Sequence, residues 1–345
     1  LADHISETAP ATALPHVAVV AIGRNEGEAL RACLDSVLAM DYPRELLDVI
    51  YVDSASTDGS VAMAQALGVR TISLAGPTTA ARGRNAGWET TSAPFVLFLD
   101  SDTVLHPQFV RKAIRYLDDP ALAGVFGNRR ESRCGDSLYN AVFDLDWLST
   151  EGPVRYFGGD ALVRTEALRR VHGYDATLIA GEEPDMCRRM RALGYSILHI
   201  DAPMTMHDLA MHRFRQYWRR SVRTGHAYAE VSGRYADTPD PLWKAESQRN
   251  LQRGLLWAGV PVLLILLALV LHAWWPLVLL LFLFIALPGR TAWRVRSRAP
   301  GWRLPLAYGV HSHLQHVPIL LGQLGYWLRN KDRAARGLIE YKEKR

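Results

Sequence analysis

FVLFLDSDTVLHP, residues 95–107, runs an apolar stretch straight into two acids, Asp100 and Asp102, with only Ser101 between them. The run reads as a buried strand that ends abruptly where it meets solvent or a ligand. Asp100 and Asp102 flank one residue of extended chain, so both side chains can point the same way at the edge of a sheet. No basic residue neighbours them in sequence, and a cation would offset their mutual repulsion. A hard divalent ion such as Mn²⁺ or Mg²⁺, itself bridging to phosphate oxygens, suits two carboxylates. The alternative is a turn or helix-capping pair, a common role for acids so spaced.

Upstream, HVAVVAIGRNE (16–26) is a short β-rich run, and the segment after it sets Leu30, Leu34, Val37 and Leu38 at helical spacing. LLDVIYVDSASTDGS (46–60) is a second apolar run ending in polar and glycine residues, and VAMAQALG (61–68) reads as helix. RTISL (70–74) is a third strand and ARGRNAGWETT (81–91) a helix, which leads into the strand at 95. Strand and helix alternating at this interval predict an α/β fold: a Rossmann-like, mostly parallel sheet with covering helices. In such sheets ligands bind beyond the carboxyl ends of the strands. Asn25 and Glu26, Asp53 to Asp58, and Asp100 to Asp102 all fall just past strand ends, so they are expected along one edge. There Asp53 can accept from a nucleobase or ribose, while Asp58 either shapes that pocket or caps the helix from 61. Arg82 and Arg84 lie near the same edge, where either can pair with a diphosphate or stay solvated on a helix face.

Past residue 110 the order is less regular. HPQFVRKAIRYLDD (106–119) reads as a helix opened by Pro107, and FGGDALVRTEALRRVHGYD (157–175) as a glycine loop leading into a helix. GEEPDMCRRMRALGY (181–195) is an acidic loop leading into another, with Pro184 in its first turn and Gly194 after its last.

The 345-residue chain has a formal charge of +5, with the basic excess around its C-terminal apolar runs, which favours a membrane surface over nucleic acid as partner. Its three cysteines lie far apart with no CxxC pair, which argues against a zinc site or a disulfide framework and for a reducing compartment. Residues 1–15 are polar and lack the pattern of a secretory signal; they read as a flexible tail.

LLWAGVPVLLILLALVL (255–271) and LVLLLFLFIALP (277–288) are apolar and separated by HAWWP. With neighbouring residues each reaches roughly 17 to 20 residues, about one bilayer span. Arg249 and Arg253 precede the pair, and Arg290, Arg294, Arg296 and Arg298 follow it. A transmembrane hairpin over 254–289 with both ends in the cytoplasm is expected, Trp274 and Trp275 sitting at the far interface. Residues 304–328, flanked by basic residues and bearing His311, His313 and His316, suit an interfacial or re-entrant helix. The expected organisation is a tail (1–15), a catalytic domain (16–235), a linker (236–253), the hairpin, and a basic loop, interfacial helix and cytosolic tail (290–345).

The ordered series IGRNEGEAL, YVDSASTDGS, ARGRNAG, FLDSDT, FGGDALVRTEALRRVHGYD and GEEPDMCRRMRALGY resembles family 2 glycosyltransferases of the GT-A fold, over roughly residues 16–230. That resemblance implies a nucleotide-sugar donor, commonly a UDP-sugar, with Asn25, Glu26 and Arg82 near it and Asp53 at the nucleobase. It implies Asp100 at the ribose or the metal, and Asp102 at the metal that bridges the diphosphate. The family's acidic motif leads into a helix and supplies the general base; here it reads Gly181, Glu182, Glu183, leaving the base at Glu182 or Glu183. His207 resembles the histidine that completes the metal shell. Gln216, Trp218, Arg219 and Arg220 resemble the QxxRW motif of membrane-coupled members, with Arg where the last Trp is expected; Arg219 would contact diphosphate or headgroups.

These residues imply an inverting transfer to a lipid-linked or membrane-presented glycan acceptor at the cytoplasmic membrane, alongside partner subunits of a polysaccharide pathway. Two other classes compete. One is a non-catalytic nucleotide-sugar-binding or scaffold subunit, against which the intact acids argue. The other is a nucleotidyltransferase, against which the absence of a lysine in AIGRNEGEA argues.

Overall fold

The computed structural model describes residues 13–76, 78–147 and 150–329. The ends of the expected N-terminal and C-terminal tails, residues 1–12 and 330–345, lie outside them.

Three parallel strands form the first half of the sheet: β1 (Val17–Gly23), β2 (Leu47–Asp53) and β3 (Arg70–Ser73), joined through α1 (Glu28–Leu38) and α2 (Ser60–Ala66). After α3 (Ala80–Trp88), β4 (Phe95–Asp100) pairs parallel with β1 on its other side. Their apolar runs are continuous because both faces are buried. Val17, Val19 and Ala21 face one core with Leu97 and Leu99, and Ala18 and Val20 face the other with Val96 and Phe98. Helix α1 covers the first face, and α3 the second, with Ala81 and Trp88.

The second half adds antiparallel pairs to the mostly parallel sheet. β5 (Thr103–Leu105) leads to α4 (Phe109–Ala113), which continues as a 3₁₀ turn instead of a full helix to residue 119. β6 (Leu122–Glu131), α5 (Leu138–Asp146), β7 (Gly152–Val154), β8 (Ala161–Arg164), α6 (Thr165–Arg170), α7 (Glu182–Ala192) and β9 (Ser196–His207) follow. The strand order is β3-β2-β1-β4-β8-β6-β9-β5, with β7 also on β9. β4–β8, β8–β6, β9–β5 and β9–β7 are antiparallel, whereas β6–β9 is parallel, so the sheet is mixed. Short apolar runs carry no signal for strand direction, so the antiparallel pairings of this half were not legible in the sequence.

C-terminal to the sheet come α8 (Phe214–Arg234), α9 (Lys244–Leu271), α10 (Trp275–Val295), α11 (Arg303–Leu314) and α12 (His316–Arg329). The expected linker at 236–253 is already helical from Lys244, and the expected hairpin at 254–289 lies inside the longer α9 and α10. Lys244–Leu271 and Trp275–Arg298 are long and apolar enough to cross a membrane. Leu263, Leu266, Val270, Phe282 and Ile285 on them are each more than half exposed. The segment expected as one interfacial helix is two, α11 and α12, and α12 lies against α8. There a Cβ at Gly322 would sit 2.0 Å from the Val222 carbonyl oxygen, and one at Gly225 would sit 2.0 Å from that of Ile319, so only glycine permits this approach.

Candidate active site

The parallel register sets Gly23 beside Asp53 and Ile22 beside Asp100, so the loops after β1, β2 and β4 open on one edge, as expected. A cavity of about 1020 Å³ occupies that edge. Its wall includes Asn25, Glu26, Arg84, Asp100, Asp102, Arg129, Glu182, Glu183 and His207. Residues of β1, β4, β6, β9, α3, α7 and α8 thus converge on a single space.

Arg84 is the electrostatic centre. It is 2% exposed, and its guanidinium lies 2.8 Å from Asp100 Oδ1, 3.1 Å from Glu182 Oε1 and 2.9 Å from Glu183 Oε1. One cation therefore joins the end of β4 to the start of α7. Arg129 adds a second, 3.3 Å from Asp100 Oδ2 and 2.6 Å from Asp160 Oδ2. Burial works against the Asp100 carboxylate, but Arg84 and Arg129 hold its pKa below the usual carboxylate range. Asp160 fixes the strand end itself, its Oδ1 accepting from the Asp100 backbone N–H at 3.0 Å.

Glu183 behaves differently. Burial, reinforced by the adjacent Glu182 charge, pushes its pKa up to about 7 despite the nearby Arg84. Glu182 is 5% exposed at its side chain and Glu183 is 13% exposed, so Glu183 is the more accessible of the two. Asp185, in the first turn of α7, is buried and bound to Arg189 and to the Tyr235 hydroxyl.

The antiparallel β5–β9 pairing sets Thr103 opposite His207, and the Asp208 N–H donates to the Asp102 carbonyl at 2.9 Å. His207 Nε2 thereby lies 3.4 Å from Asp102 Oδ2. Glu131 Oε2 lies 3.9 Å from the other ring nitrogen, and the edge of the ring meets Trp147 at 5.1 Å between centroids. Burial opposes protonation of His207, but the Asp102 carboxylate outweighs it and raises the ring to about 9.

Asp102 and His207 fit a divalent ion: an oxygen and a nitrogen donor stand side by side on the cavity wall, with the Glu131 carboxylate 3.9 Å behind the imidazole. Asp100 does not fit that role here, because both of its oxygens face guanidinium groups. No three such donors converge among the described residues, so further coordination positions would fall to donor phosphates and water.

Four residues expected at the donor site stand elsewhere than on the wall. Asp53 is 2% exposed and accepts from the Tyr51 hydroxyl and the Ser56 N–H, so it shapes the loop beneath the cavity, where Ser54 is on the wall. Asp58 accepts from Ser60 N–H and Oγ and from Gly27 N–H, tying the first two loops together. Arg82 is exposed on the outer side of α3, whereas Arg84 points inward. Arg219 is likewise off the wall, and Gln216, Arg220 and Arg223 of α8 line it instead. Gln216 Oε1 accepts from the His212 and Arg213 N–H groups and so caps α8. Asn25 takes a left-handed conformation, φ 56°, and accepts from Thr57 N–H. Arg129, Glu131 and Trp147 are additional residues at the candidate site that no sequence motif singled out, and Asp160 lies in the quoted FGGD stretch but was given no role there.

Residues 18–174 match the sequence model of Glycosyl transferase family 2. A pre-mycofactocin glycosyltransferase of Mycobacterium tuberculosis is 29% identical over 175 residues, 47% of this chain and 37% of its own length. The glycosyltransferase AglE of Haloferax volcanii is 28% identical over 120 residues, 33% of this chain and 40% of its own. The chain thus spans well under half the length of these relatives. Among solved structures, a mannosyltransferase, PcManGT, from Pyrobaculum calidifontis in complex with GDP-Man and Mn²⁺ superposes with a TM-score of 0.67 at 18% identity. That superposition covers 93% of this chain and 89% of that one. S. aureus TarS 1-349 gives a TM-score of 0.51 at 14% identity over 65% and 66%. The fold is therefore GT-A, and residues 18–174 of the chain are similar to glycosyl transferase family 2.

Proposed function

We propose that this protein is a membrane-anchored, metal-dependent, inverting glycosyltransferase that moves a sugar from a nucleoside-diphosphate sugar to an acceptor hydroxyl. The observation that carries this reading is the convergence of Glu183, Arg84, Asp100, Asp102 and His207 on one cavity at the carboxyl edge of the sheet. Glu183, with a pKa of about 7, is half ionised at neutral pH and suited to take a proton from a hydroxyl. As that proton passes to Glu183, the acceptor oxygen bonds to the anomeric carbon. The bond from that carbon to the diphosphate oxygen breaks on the opposite face, and the nucleoside diphosphate leaves with the electron pair. Asp102 and His207 would hold a divalent ion, Mn²⁺ suiting the mixed donor pair better than Mg²⁺. When bound, it supplies positive charge that offsets the charge developing on the diphosphate.

Asp100 and Arg84 set the floor of the donor site, and Glu182 holds Arg84 in place beside Glu183. Asn25 and Glu26, on the same wall, would face the donor. The exposed apolar faces of α9 and α10 support anchoring in a bilayer, and the arginines flanking them favour a cytoplasmic catalytic domain. Since α8 and Trp243, the residue before α9, also line the cavity, a membrane-presented acceptor has a short path to it. The test is to incubate the purified chain in nanodiscs with UDP- and GDP-sugars, Mn²⁺ and a bacterial lipid extract. Sugar transfer or metal-dependent donor hydrolysis is expected; neither, with every common donor, sinks the reading.

A further inference from the structure

At one end of the cavity three aromatic side chains from separate parts of the chain meet. Tyr156 comes from the loop before β8, Tyr228 from α8 and Trp243 from the start of α9. The Trp243 indole meets the Tyr156 ring edge-on at 5.8 Å between centroids and the Tyr228 ring at 4.9 Å, and its N–H donates to the Tyr156 hydroxyl at 3.3 Å. All three are on the cavity wall, and Tyr156 keeps 38% of its surface exposed. None is consumed by the chemistry proposed above.

Their position relates them to the base. A Cβ at Gly181 would lie 3.1 Å from Trp243 Cζ3, so the indole packs against the backbone two residues before Glu183. Gly181 holds φ 88°, which fixes the turn that starts α7 and leaves this approach open. Trp243 is itself in the left-handed region at φ 60°, a conformation uncommon for a bulky residue, and its ring is anchored by the Tyr156 hydroxyl and by Tyr228.

We infer that Tyr156, Tyr228 and Trp243 form a stacking platform for a sugar ring at the reacting end of the acceptor. A pyranose has one face of C–H bonds with slightly positive hydrogens, and an aromatic face carries the complementary negative potential. A bare lipid phosphate or alcohol has no such ring face. The Thr224 hydroxyl, on the same wall, can hydrogen-bond a ring hydroxyl at the rim. The acceptor class is therefore a saccharide, carried on a lipid or free, whose terminal ring lies on the platform with a hydroxyl directed at Glu183. This specificity rests on the reading of Glu183 as the base.

The experiment uses the full chain in nanodiscs with a panel of methyl mono- and disaccharides, and decyl phosphate as the probe without a sugar. Saturation-transfer NMR reads binding directly, and product formation with the active donor reads transfer. Binding of at least one saccharide is expected, with affinity reduced about tenfold in Trp243→Leu and in Tyr156→Leu. Trp243→Phe and Tyr156→Phe are expected to retain affinity within about twofold, which separates stacking from a folding defect. Equal binding in the Leu and Phe variants, or transfer to decyl phosphate with no saccharide bound, overturns the platform. Metal-dependent donor hydrolysis by the wild type is measured in parallel. If hydrolysis is absent while saccharides bind through the platform, the catalytic reading fails and the platform stands.

Discussion

Arg84 Nη1 lies 2.9 Å from Glu183 Oε1, while Nη2 of the same guanidinium lies 2.8 Å from Asp100 Oδ1. A single buried cation thus joins Asp100 of the proposed donor floor to the proposed base, and it helps hold the Asp100 carboxyl below its usual range while only partly offsetting the burial that raises Glu183.

Removing it leaves buried negative charge without compensation. Arg84→Met is expected to destabilise the protein by about 3–5 kcal/mol, read from denaturant unfolding in detergent. Arg84→Lys should recover only part of this, because an ammonium lacks the planar fork that reaches both acids.

Glu183→Gln is expected to lower the transfer rate by about 10²–10⁴-fold with donor affinity changed little, because the amide cannot accept the proton. Glu182→Gln, whose partner is Arg84, should instead disturb stability and donor affinity together. Equal rate losses in both variants with unchanged stability would leave the base unassigned to Glu183.

The pH profile has a defined direction. Glu183 must be ionised to act, and its pKa is raised to about 7, so the rate should rise through about pH 7 and level off above it. Initial rates from pH 5.5 to 8.5 at saturating Mn²⁺ check this. A rise centred near pH 4.5, the ordinary glutamate value, would remove Glu183 from the role.

Asp102→Asn and His207→Ala are each expected to weaken Mn²⁺ binding severely, and Glu131→Gln, behind the imidazole, by about 10–100-fold. Electron paramagnetic resonance of free Mn²⁺ measures the loss directly. Asp100→Asn should change Mn²⁺ affinity less than Asp102→Asn, since its oxygens face Arg84 and Arg129.

Gly322→Val tests the contact between α12 and α8. Its side chain would collide with the Val222 backbone carbonyl, so α12 must move away. A drop in thermal midpoint and new proteolytic cleavage near residues 314–316 are expected.

Sequence by itself determined the first half of the sheet, because β1, β2 and β4 are buried on both faces and therefore written as unbroken apolar runs. It also placed the loop acids on the carboxyl edge, since parallel strands leave their C-terminal loops together. The pattern of α3 even held the signal that separates its two arginines. Ala81, Arg84 and Trp88 are spaced i, i+3, i+7, so Arg84 lies on the buried stripe and Arg82 does not. What only the tertiary structure decided is pairing between distant segments. The antiparallel β5–β9 ladder brings His207 to Asp102, and β6 brings Arg129 and Glu131 into the same site. No local pattern encodes those contacts, because strand direction and the partner of a buried charge are set by long-range packing. Asp100 illustrates the difference: its sequence announces an acid at a strand end, but Arg84 and Arg129, 16 and 29 residues away, decide that it answers to cations of the protein.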